Sequence, residues 1–74
     1  MITTKDIQIK LAEAIKQSGL SQAEIARKLN IKPTQICCYL KGIKMPALDT
    51  FANLCAILDL DIYDVLCISE YKAN

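Results

Sequence analysis

Apolar residues recur along this chain at steps of three and four, and nowhere do they alternate with polar ones long enough to suggest a strand. The pattern predicts five helices. In the first, Ile7, Leu11, Ala14 and Ile15 share one face, Thr3 or Thr4 is placed to cap, Asp6 lies in the opening turn and Gly19 is the natural stop. The second opens on "SQAE". Ser21 and Glu24 form a capping box, and Leu20 and Ile25 are spaced as a hydrophobic staple around it. Ala26 and Leu29 extend the apolar stripe, and Asn30, which tolerates a left-handed turn better than other non-glycine residues, ends the helix.

The third helix starts at Pro33, whose missing N–H costs nothing at a first helical position, and stops at Gly42. "GIKMPA" reads as a loop. In "LDTFANLCAIL" the residues Leu48, Phe51, Leu54, Cys55 and Leu58 make a fourth amphipathic stripe. Asp61 and Asp64 frame a short fifth helix carrying Ile62, Val65 and Leu66. The expectation is one all-α domain over residues 1–74. Its helix-turn-helix lies at about 21–42, the fourth and fifth helices at about 47–67, and a short tail follows.

Stepping about 100° per residue from Ile36 as the inward reference, Leu40 and Tyr39 fall within about 60° of it, whereas Thr34 and Cys38 lie roughly 160° and 200° round, facing outward. Lys41 joins the outer group, with Gln35 and Cys37 on its flanks.

Two short helices joined by a tight turn and flanked by three others resemble the Cro/repressor, or XRE, helix-turn-helix family of phage repressors. The residues that carry the resemblance are Gln22, Ala26, Asn30, Ile36, Tyr39, Gly42, Pro46, Leu48, Leu54 and Leu66. It implies a five-helix lambda-repressor-like domain that binds double-stranded DNA, with helix 3 in the major groove and helix 2 across the backbone. Carried onto this chain, Lys32, Pro33, Thr34, Gln35 and Cys38 become candidates for reading bases, Pro33 by van der Waals contact alone. Gln22, Lys41 and Lys44 become candidates for phosphates. Three departures stand out. Ile15 and Leu40 replace an Arg and a Glu that often pair between helices 1 and 3, and are expected to touch as an apolar pair. The outer face of helix 3 is short of long polar side chains, and Ala47 stands where a capping Ser is common.

Charge sharpens this picture. The net charge is only +1, but residues 1–46 hold eight Lys/Arg against three acids, a balance of +5, and residues 47–74 hold one Lys against five acids, a balance of −4. One half is thereby suited to a polyanion. The acidic half carries an apolar run, Ile62, Val65, Leu66, Ile68 and Tyr71, longer than so small a core needs. Ile62, Val65, Ile68 and Tyr71 are therefore expected to form the contact of a homodimer that reads an inverted repeat, with half-sites about 34 Å apart.

The remaining chemistry mostly excludes. No run of 18 apolar residues would span a membrane, and "MITTKDIQIK" lacks the apolar core of a signal peptide, so a cytoplasmic protein is expected. Its four cysteines are then reduced thiols. There is no His and no CxxC, and the side chains of adjacent Cys37 and Cys38 diverge, which argues against a metal site. A redox role for either would require a lowered thiol pKa, and Cys55 and Cys67 read as core filler. No nucleophile–base pair, carboxylate pair or phosphate loop points to an enzyme, and no cofactor is expected. The expected function is sequence-specific DNA binding by a bacterial or phage transcriptional regulator, most simply a repressor. The alternative is an antitoxin or adaptor that uses the same fold to bind a protein such as a toxin.

Overall fold

A computed structural model describes residues 1–68. Among the described residues are five helices and no strand: α1 (Thr4–Gln17), α2 (Gln22–Leu29), α3 (Pro33–Lys41), α4 (Leu48–Leu58) and α5 (Ile62–Val65). The family resemblance anticipated this all-α arrangement.

The first two helices begin with the same device. The Asp6 amide donates to Thr3 Oγ1 at 3.2 Å while the Thr3 amide donates to Asp6 Oδ2 at 3.0 Å. The Glu24 amide likewise donates to Ser21 Oγ at 3.1 Å and the Ser21 amide to Glu24 Oε1 at 3.2 Å. Each box satisfies two amides, one at the cap residue and one in the first turn. Those hydrogen bonds, backbone first, hold the carboxyls of Asp6 and Glu24 below their ordinary range. At α5, Asp61 Oδ1 accepts from the Tyr63 and Asp64 amides. At α3 and α4, Lys32 and Ala47 occupy the cap position without a side-chain hydrogen bond.

Four helices end alike. A left-handed residue (Asn30, Gly42, Asp59 or Cys67) lets the next amide reach back to the carbonyl five residues earlier: Ile31 to Ala26, Ile43 to Cys38, Leu60 to Cys55, Ile68 to Tyr63. This closure satisfies carbonyls the helix end would leave open. Cys67 thus serves at a backbone position glycine prefers and is half-exposed, a correction to its reading as core filler.

α1 packs on α3 and α5, and α2 on α3 and α4. Leu11, Ile25, Ile36, Leu54 and Val65 are fully buried where these helices meet. Each such side chain contributes about 1.5–3 kcal/mol relative to exposure. Ala26, 1 % exposed, leaves α2 and α3 close together. Burial pushes the Cys55 thiol pKa up, which keeps it protonated within the core.

Two expectations fail. Leu48 belongs to the apolar stripe of α4 by spacing, yet it is 85 % exposed. It is the first residue of its helix and stays open to solvent. Val65, expected in a dimer contact, is 2 % exposed because α5 turns it into the chain's own core against α1.

Candidate nucleic-acid interface

α3 has two unlike faces. Ile36 and Tyr39 are buried, and Leu40 is half-buried at the core edge. On the other side Lys32, Pro33, Thr34 and Lys41 are exposed, while Gln35, Cys37 and Cys38 are half-exposed. Cys38 is less open than its outward angle suggests. The closure at Gly42 brings the Ile43 and Lys44 amides to 3.0 and 3.4 Å from the Cys38 carbonyl, which turns the chain back at the end of α3. Gly42 has φ +72°, a conformation that lets the chain return this sharply.

α2 lies against α3. Its first residue, Gln22, is exposed immediately after the Ser21 cap, and Lys44 is exposed beyond the end of α3. Both ends of the two-helix unit therefore present polar side chains to solvent. Residues 21–44 carry five Lys/Arg and one acid. The single ion pair among the described residues, Lys10 Nζ to Asp64 Oδ1 at 3.8 Å, lies outside this stretch.

One contributor was missed from sequence. Gln8 of α1 donates from Nε2 to the Gly42 carbonyl at 3.2 Å, tying α1 to the residue that ends α3. The two are 34 positions apart, so no local signal announces the bond.

The family model described as helix-turn-helix matches residues 11–65, a span that includes α2, α3, α4 and α5 whole. The chain belongs to the XRE, or lambda repressor-like, helix-turn-helix family. This is a family of DNA-binding regulators and not of enzymes. No curated protein and no solved structure matches the chain. Among the described residues no helix is long and apolar enough to cross a membrane. No cluster of three or more Cys, Asp or Glu among them could hold a metal ion.

Of the residues expected at a dimer contact, Ile62 is 45 % exposed, Ile68 is half-exposed, Val65 is buried and Tyr71 lies outside the described residues. Tyr63, 41 % exposed beside Ile62, adds apolar surface that the sequence reading passed over.

Proposed function

We propose that this member of the family is a sequence-specific binder of double-stranded DNA that represses transcription by covering a promoter. The carrying observation is the exposed edge of α3. Lys32, Pro33 and Thr34 open it, Gln35 and Cys38 continue it half-exposed, and basic residues stand at both of its ends with no ion pair to an acid among the described residues. In this reading Thr34, Gln35 and Cys38 meet base edges, with Lys32 and Pro33 at the margin, while Gln22, Lys41 and Lys44 hold phosphates. The outer face holds no Arg, which supplies the commonest strong base contact, so discrimination between related sites is modest.

A single reading helix covers few base pairs. The exposed Ile62 and Tyr63, with Ile68 beside them, support pairing of two copies through the α5 end, away from α3, over an inverted repeat.

Selection of bound sequences from random duplex DNA tests both parts. A repeated half-site with about one helical turn between centres is expected. Thr34→Ala or Gln35→Ala should relax preference at one or two positions by about 1–3 kcal/mol, and Lys44→Ala should weaken all sequences alike. Recovery of no preferred sequence would overturn the specific reading. A preferred single half-site, bound by a chain that stays monomeric at high concentration, would overturn the dimer.

A further inference from the structure

On the flank where α1 meets the end of α3 lies a groove of about 560 Å³. Its apolar surface is Ile9, Ala12 and Leu40, and its charged lining is Lys5, Lys16 and Lys41 with a lone acid, Glu13. Ile9 is 50 % exposed, a large apolar side chain on a helix whose other stripe, Leu11 and Ile15, fills the core. α1 is thus apolar on two sides and has a partner for one. None of the three lysines forms an ion pair among the described residues.

Cations at both ends of an apolar strip call for an occupant that is apolar along one line and carries anionic groups toward the ends of that line. DNA backbone fits poorly, because phosphates gain nothing from Ile9. The run of α1 from Lys5 to Lys16 is about 16 Å, three turns of helix, and a furrow between two packed helices is the shape into which a third helix lays its apolar ridge. We propose that this groove docks an acidic amphipathic helix of a protein partner. Leucine-like side chains of the partner would rest on Ile9, Ala12 and Leu40, with carboxylates facing Lys5, Lys16 and Lys41. The proposal does not depend on DNA binding by this chain. It does have a consequence for it: Lys41 belongs to both surfaces, so a seated acidic helix and DNA phosphate compete for the same ammonium group.

The test uses the full chain, isotopically labelled, without DNA. The probe is a 15-residue acetylated and amidated peptide of Leu, Ala and Glu, with its leucines on one helical face. Amide shifts are expected at residues 5–16 and 40–42. Ile9→Ser and Lys16→Glu should each weaken binding about tenfold. Both positions are exposed, so the thermal midpoint should stay within a few degrees, and this separates lost docking from lost fold. Replacing every Glu of the peptide by Lys should abolish the shifts. Three results would overturn the proposal: shifts centred elsewhere, equal binding of the lysine peptide, or binding of dodecanoate without binding of the acidic peptide, which would make this a small-anion pocket. Shifts at Ile9 and Ala12 produced by duplex DNA in place of the peptide would reassign the groove to nucleic acid.

Discussion

α2 and α3 are nearly the same length, eight and nine residues, and stand side by side, yet they are helical for different reasons. α2 is specified by its neighbours in sequence. A reciprocal box starts it and Asn30 in a left-handed conformation stops it. α3 has no side-chain cap, and Lys32 stands where Ser or Asp would serve. Its start relies on the fixed φ of Pro33, and its persistence on burying Ile36 and Tyr39 against α1 and α2. A cap is worth about 1 kcal/mol, whereas a buried Ile is worth about 1.5–3. α3 is therefore held from its inner face. Its outer face is released from structural duty, which suits it to the base-reading role proposed for it.

The largest effect expected from this contrast is at Ile36. Ile36→Ala should destabilise the domain by about 2–5 kcal/mol in equilibrium denaturation. A loss below about 1 kcal/mol would mean that burial is not what holds α3. Next come the two helix starts. Ser21→Ala should cost about 1 kcal/mol, while Lys32→Ala, which removes no cap, should change stability by less than about 0.5. Equal losses would erase the distinction between the helices. Ala47→Ser supplies the cap that α4 lacks and should stabilise by up to about 1 kcal/mol, read as a raised thermal midpoint. An unchanged midpoint would show that the α4 start already satisfies its amides in another way.

The smallest effect is that of acid. The carboxyls of Asp6 and Glu24 titrate below their ordinary range because cap amides donate to them. A depressed folded-state pKa contributes stability that is present above the unfolded value and lost as pH falls through the folded one. Lowering the pH below the usual carboxylate range should therefore loosen the starts of α1 and α2. Hydrogen exchange at the Thr3, Asp6, Ser21 and Glu24 amides would report it, with the first turn of α3 unaffected because no carboxylate caps it. Matching acid sensitivity at α3 would contradict the account of how these helices begin.

Much of the candidate interface was legible for the same reason that α2 was. The spacing from Ile36 separates Thr34 from the core using helix geometry alone. Gly42 and Pro33 mark where α3 ends and begins through backbone preferences that act within a few residues. Less legible were the partial burial of Cys38 and the bond from Gln8 on another helix to Gly42, because neither follows from spacing within α3.

By itself, then, the sequence determined the helices, their starts at Thr3 or Thr4, Ser21, Pro33 and Asp61, and the stops at Asn30 and Gly42, because capping and left-handed turns are local chemistry. Only the tertiary structure decided which apolar residues are covered. Leu48 and Phe51 share a stripe, but Phe51 is 8 % exposed and Leu48 85 %. Val65 faces the core beside an exposed Ile62. Ile9 and Leu40 edge a groove that neither helix would reveal alone. Periodicity states which side chains point the same way. Whether anything lies over them depends on where other helices end, a distance in space that no spacing along the chain encodes.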